Sequence, residues 1–252
     1  MTDIRSRTLD LHMGDKLIHG TLHVPDDGRE QHPLIVMTHG FRGRHFPQDP
    51  TAAEFASAGF MVYAFDFCGG KDSGSSGDPL DRSVLTEASD LNDVLDALLA
   101  RTDVDRQRVI LFGRSEGGFV ATYVAAHRPG DVSAMVLFFP AYSLQDDARA
   151  RIAASGGVPT GAVFMDVAVG AVYNADAASF DIYQLMGAFA GPVLLLHGDA
   201  DAIVPLGYSQ RAAETFPNAR LVVLPGEGHG FCEGGYPRAM AETMDFLRGL
   251  FD

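Results

Sequence analysis

A chain of 252 residues with 46% hydrophobic side chains is long enough to bury a sizeable core in one large globular unit. Its formal charge of −14, with no long basic block, speaks against nucleic acid or an anionic membrane surface as a partner. Only Cys68 and Cys232 are present, too few for a disulfide framework and without metal-ligand spacing, so two reduced thiols are expected.

The first residues, "MTDIRSRTLDLHMGDKL", lack the apolar run of a secretory signal, and no stretch approaches bilayer-spanning length, so the expected compartment is the cytoplasm. The segment "RTLDLHM-GD-KLIHGTLHV" reads as an antiparallel hairpin at one edge of a sheet. Its neighbourhood carries His12, His19, His23 and His32 without ligand spacing, and no metal site is expected.

Six short runs then recur: "PLIVMTH" (33–39), "FMVYAFD" (60–66), "RVILFG" (108–113), "AMVLFFP" (134–140), "PVLLLHG" (192–198) and "ARLVVLP" (219–225). Apolar on both faces, they predict buried parallel strands. Residues 82–101 place Leu85, Ala88, Leu91, Leu95, Leu98 and Leu99 on one helical stripe, and 236–251 predicts a closing helix. Strands alternating with helices give an α/β fold whose mostly parallel central sheet is covered on both faces, with ligands beyond the carboxyl ends of the strands. Residues 141–190 break this rhythm, and a segment that long without a clean period reads as a cap inserted into the single domain 1–252.

Between the third strand and the helix "GGFVATYVAAHR" lies "LFGRSEGGFV", where Ser115 has Gly113 and Gly117 two residues to either side. This is G-x-S-x-G, a turn too sharp for side chains at the flanking positions, which would hold a nucleophilic hydroxyl at the top of the sheet. The alternative is a serine that merely caps a helix beside a glycine turn. A hydroxyl needs a base oriented by an acid, and in this architecture the chain order is Ser, acid, His. Only His229, in "GEGHGF", follows both Ser115 and an acid-bearing loop; His197 reads as a packed strand-end residue and His127 as lying near a helix C-terminus. The loop "DADAIVP" offers two acids, Asp199 and Asp201, of which Asp199 could serve only to order the loop. The N–H groups of Glu116, after the nucleophile, and of Phe41, in "THGFRG", are the candidate oxyanion donors. Neither side chain need take part, and Glu116 is also accounted for by the helix dipole.

Taken together, "HGF", "GRSEGG", "HGDAD" and "GHGF" resemble the α/β-hydrolase superfamily along the whole chain. The position and length of the insert and its "DIY" are similar to those of the bacterial cinnamoyl (feruloyl) esterases. That resemblance implies a small subdomain over the active site, puts the acid at the end of H-G-x-x-D, which is Asp201, and transfers a phenol-binding pair onto Asp147 and Tyr173. The commoner elbow of that family reads G-H-S-Q-G-G, so Arg114 and Glu116 alter the charge beside the serine. The expected activity is serine carboxylic-ester hydrolysis through an acyl-enzyme, on hydroxycinnamoyl or other small aromatic or acyl esters, with no metal or organic cofactor. Short-chain acyl esters, monoacylglycerols and thioesters are the alternative substrates; a serine peptidase or a non-catalytic binding protein would share the fold. Phe164, Met165, Tyr173, Phe180 and Tyr183 are expected to form an apolar acyl pocket or the insert's own small core. The expected partner is a small-molecule ester, with no nucleic acid and no membrane, and a homodimer is the candidate assembly.

Overall fold

Why two consecutive residues of one strand face different layers follows from the period of two, and the core is organised by it. The computed structural model describes residues 3–46, 49–232 and 234–250. In chain order it runs β1 (Ile4–Thr8), β2 (Leu11–Met13), β3 (Lys16–Ile18), β4 (Gly20–Pro25), β5 (His32–Thr38), α1 (Pro50–Ser57), β6 (Met61–Phe65), α2 (Val84–Leu99), β7 (Val104–Arg114), α3 (Glu116–His127) and β8 (Ala134–Phe138). There follow α4 (Leu144–Ser155), β9 (Gly161–Phe164), β10 (Val167–Gly170), α5 (Ala171–Ala178), α6 (Ile182–Met186), β11 (Val193–Gly198), α7 (Gly207–Thr215), β12 (Ala219–Leu224) and α8 (Gly235–Gly249).

The main sheet has eight strands in the order β1-β4-β6-β5-β7-β8-β11-β12. Its pairings are parallel from β6 to β12, and β4 runs antiparallel to both β1 and β6. The chain is therefore an α/β-hydrolase fold, with the expected antiparallel element at one edge. That element is divided, because β1 and β4 join the main sheet while β2 and β3 form their own ribbon around Gly14.

Leu34, Val36, Met61, Tyr63, Val109, Leu111, Met135, Leu137 and Leu195 pack on one side of the sheet with α2 and α3. The alternate residues Ile35, Met37, Val62, Ile110, Phe112, Val136, Leu194 and Leu196 pack on the other with α1 and α8. Both faces are dry, which is why the strands read as unbroken apolar runs. Helix α2 starts where Ser83 accepts from the Leu85 and Thr86 amides and Thr86 accepts from the Ser83 amide. The closing helix ends at Gly249, and residue 251 of its predicted span lies outside the described residues. Within 141–190 the sequence showed no period, and there the chain forms three short helices and the β9–β10 hairpin. Its two-residue turn, Met165 and Asp166, has positive φ at both positions. No described helix is long and apolar enough to cross a membrane.

The join between β7 and α3 allows no side chain at its flanks. A Cβ on Gly113 would lie 2.6 Å from the Gly118 Cα, and one on Gly117 2.6 Å from the Thr38 carbonyl oxygen. Both obstacles are backbone, which a rotamer change cannot relieve. Gly117→Ala is expected to destabilise the fold by about 1–3 kcal/mol, read as a lower urea midpoint; an unchanged midpoint would mean that the join is looser than this geometry.

Candidate active site

Ser115 occupies the residue between β7 and α3 with φ 53° and ψ −120°, a conformation that costs a non-glycine residue about 1–3 kcal/mol. Surrounding hydrogen bonds hold it there: its amide donates to the Phe138 carbonyl at 3.0 Å, and its own carbonyl accepts from Gly118 at 3.0 Å and Ala141 at 2.9 Å. Its hydroxyl makes no helix-capping bond, which removes the capping alternative. Instead Oγ lies 3.0 Å from Nε2 of His229, and Nδ1 of His229 lies 2.8 Å from Oδ2 of Asp201. A carboxylate on Nδ1 fixes that proton, so Nε2 is left to accept from the serine hydroxyl.

Asp201 sits in the loop after β11 and is almost fully buried. Burial alone would raise its pKa. The Val204 amide, His229 and the Ile203 amide together hold the carboxyl below the ordinary value. Oδ1 accepts from those two amides at 2.9 and 2.8 Å, and Nε2 of His197 stands 3.1 Å from Oδ2. His197 is fully buried, its pKa lowered by that burial, with Nδ1 2.7 Å from the Ser209 hydroxyl. It is thus packed and hydrogen-bonded as expected, and it also braces the acid. Asp199 instead accepts from the Gly226 amide at 2.6 Å and takes no part in the His229 contact. His127 ends α3, with Nδ1 2.8 Å from the Tyr123 carbonyl.

Glu116 follows Ser115 directly in the chain, and the loop that carries Phe41 comes close to the same hydroxyl, since a Cβ on Gly40 would lie 3.6 Å from its Oγ. The peptide carrying the Phe41 N–H has its carbonyl, that of Gly40, held by the Gly43 amide and by Nδ1 of His39, both at 2.8 Å. Because the two ends of a peptide point in opposite directions, this aims the N–H away from His39. Nε2 of His39 accepts from the Phe67 amide at 3.1 Å, so its proton is on Nδ1, and burial lowers its pKa to about 4.

The Glu116 side chain departs from the helix-dipole account. It is buried, and its Oε2 receives Nη2 of Arg82 at 2.5 Å. The same guanidinium donates through Nη1 to the Phe41 carbonyl and through Nε to Glu87, each at 2.6 Å. Burial raises both carboxyls, Glu87 to about 8 and Glu116 in the same direction. Arg82, Glu87, His39 and the supporting contact of His197 carry no distinctive motif, although His39 and His197 lie inside "HGF" and "HGDAD".

A cavity of about 310 Å³ opens at Ser115 and His229, with Phe41, Leu144, Phe164 and Val204 among its walls. Asp147 and Tyr173 both line it, in different settings: Asp147 is an exposed residue of α4, whereas Tyr173 is 1% exposed and its hydroxyl has no aligned hydrogen-bond partner. Phe164 and Met165 also line it, but Phe180 and Tyr183 face Phe119, Tyr123 and Tyr142 in the core. Among the described residues no cluster of His, Cys, Asp and Glu has the arrangement of a metal site. Cys68 and Cys232 are free thiols, and burial beside Asp90 pushes Cys68 up to about 12.

Residues 29–163 match the family described as serine aminopeptidase, S33, and 177–249 match that of the TAP-like proteins. A monoacylglycerol lipase of Mycolicibacterium smegmatis is 28% identical over 230 residues, covering 78% of this chain and 80% of the lipase. Est1E from Butyrivibrio proteoclasticus, solved with ferulic acid bound, superposes with a TM-score of 0.86 at 20% identity, over 95% of this chain and 98% of Est1E. The mouse α/β hydrolase domain-containing protein 10 superposes at 0.78 with 19% identity, over 97% and 99%. With its elbow, its sheet order and a family match over more than half its length, the chain belongs to the serine aminopeptidase, S33, family of α/β-hydrolases.

Proposed function

We propose that this hydrolase is a serine carboxylic-ester hydrolase acting on small aromatic or acyl esters, with hydroxycinnamoyl esters as the preferred class. The observation that carries the reading is the unbroken contact from Asp201 through His229 to Ser115 at the mouth of an apolar cavity. In the proposed cycle Ser115 attacks the ester carbonyl while His229 takes its proton, and the Phe41 and Glu116 amides receive the oxyanion. Protonated His229 then gives its proton to the leaving alcohol, and, as a base again, activates water against the acyl-enzyme. Asp201 stays ionised and holds the imidazolium. The residues of 141–190 that wall the cavity act as a cap over the acyl group.

Cavity size supports a small acyl part. About 310 Å³ lies at the lower end for ligand sites, enough for one ring and a short chain, while a long fatty acyl chain would have to run out of it. The buried Tyr173 hydroxyl, which lies near the Glu116 carboxyl without an aligned hydrogen bond, lines the cavity and supports a polar group on the acyl part, with Asp147 at the rim as its second partner. The likeness to a monoacylglycerol lipase supports acylglycerols as a second substrate class.

Kinetic constants on a panel of ferulate, coumarate, cinnamate, butyrate and palmitate esters, a thioester and an aminoacyl amide test the reading. Ferulate and coumarate are expected to exceed cinnamate by about ten- to a hundredfold in kcat/KM, since cinnamate leaves a desolvated polar group unpaired. Tyr173→Phe should narrow that gap and leave butyrate hydrolysis unchanged. Slowing of every ester alike would make Tyr173 a structural residue, and fastest turnover of the aminoacyl amide would replace the esterase reading. Ser115→Ala should cost on the order of 10³ to 10⁶ in turnover and abolish fluorophosphonate labelling. For the two loop acids, Asp201→Asn should cost on the order of 10³ to 10⁴, and Asp199→Asn far less. The reverse order would assign the acid to Asp199.

A further inference from the structure

Arg82 precedes the Ser83 cap of α2, and its side chain runs inward with 2% of the residue exposed. A guanidinium is a rigid plane with donors in fixed directions, and here three directions are used at once. Nη1 bonds the Phe41 carbonyl, Nη2 the Glu116 carboxyl and Nε the Glu87 carboxyl, while the Phe41 ring packs against the guanidinium at 4.6 Å. Phe41 and Glu116 come from different parts of the chain, one in the loop after β5 and the other at the start of α3. Both line the cavity at Ser115, Glu116 as the next residue in the chain and Phe41 beside Gly40, whose Cβ would lie 3.6 Å from Ser115 Oγ. We propose that Arg82 is a positioning residue for ester hydrolysis, joining the two backbone segments that present the oxyanion donors into one rigid unit; this rests on the serine mechanism proposed above.

The energetics favour positioning over stability. A buried ion cluster gains little against apolar residues of the same volume, because desolvation offsets the attraction. This one also leaves Glu87 Oε2 buried without a partner, and sets Glu116 Oε1 and the Tyr173 hydroxyl near each other without an aligned hydrogen bond. What the cluster does provide is fixed geometry. His39 holds the peptide before the Phe41 Cα, Arg82 holds the one after it, and a loop residue without helix or strand hydrogen bonds is thereby fixed on both sides. Ser83 Oγ donates to Asp176 of α5 at 2.5 Å, so the element that carries Tyr173 is tied to the same point.

The test compares wild type, Arg82→Lys, Glu116→Ala and Lys16→Met on one aryl ester. Its readouts are kcat and KM separately, thermal unfolding, and affinity for a trifluoromethyl ketone whose adduct with Ser115 places an oxyanion at the two amides. A single ammonium cannot make all three bonds, so Arg82→Lys should lower kcat by about ten- to a hundredfold with KM within about threefold of wild type. Affinity for the trifluoromethyl ketone should fall by a similar factor, and affinity for the free product acid should hold. If Arg82→Lys does not fold, Glu116→Ala carries the test, since it keeps the amide and frees one end of the guanidinium; the same split is expected. Lys16→Met removes the ion pairs to Asp90 and Asp93 of α2, the helix that Arg82 precedes, and should leave kcat within about threefold. Wild-type kcat in the folded variants, equal losses for substrate, acid and ketone, or an equal kcat loss in Lys16→Met would each overturn the proposal. A wild type that neither turns over esters nor labels at Ser115 would refute the serine mechanism itself, whereas an active wild type with indifferent variants refutes only the role of Arg82.

Discussion

The closeness with which the end of β7 and the start of α3 pass beneath the β5 loop governs everything else at this site. At Gly113 and Gly117 the obstacles to a Cβ are backbone atoms, and at Gly118 they are the Cβ and Cα of Pro140. None can yield without moving a strand, a helix or the segment after β8. This close approach adds to the hydrogen bonds with Phe138, Gly118 and Ala141 that hold Ser115 in its strained conformation. The Thr38 hydroxyl fastens the join, lying 3.2 Å from the Phe112 carbonyl and 3.0 Å from that of Gly117. A serine on a freer turn would relax toward helical φ and ψ and carry its hydroxyl away from His229.

Electrostatic order follows from that geometry. The chain carries a formal charge of −14, yet around Ser115 negative charge is neutralised, paired or heavily hydrogen-bonded. Glu87 and Glu116 both face Arg82, and Asp201 is surrounded by two amides and two imidazoles. His39 and His197 are kept neutral by burial, so neither competes with His229 as a cation.

Legibility in the sequence divided along physical lines. Buried parallel strands announce themselves as apolar runs, and all six fell on β5, β6, β7, β8, β11 and β12, although β7 begins at Val104 because its first residues pair with the polar start of β5. Chain order singled out His229, the loop itself left Asp199 and Asp201 both open, and the resemblance to the cinnamoyl esterases favoured Asp201; His229 and Asp201 are the side chains that the fold brings to Ser115. Segment 141–190 stayed opaque because its elements are short and its hairpin turns on Met165 and Asp166 in place of the usual Asn-Gly. Arg82 was invisible for a different reason. A polar residue just before a helix cap is the ordinary pattern of an exposed helix start, and only the fold reveals that this one points inward.

The two aspartates of the β11 loop show why spacing of two residues separates their roles. Asp199 bonds the Gly226 amide and the Ala200 amide bonds the Glu227 carbonyl at 3.0 Å, so the loop after β11 is fastened to the loop after β12 on the solvent side. Asp201, one turn further in, meets His229 across the gap those bonds have set. His197 completes the arrangement from below, since its ring is anchored by the Val204 carbonyl at 2.9 Å and reaches the same carboxylate oxygen as His229. A carboxylate held at both oxygens cannot rotate to follow the imidazole. The imidazole must therefore come to it, and the position it is forced to take is the one from which Nε2 faces the Ser115 hydroxyl.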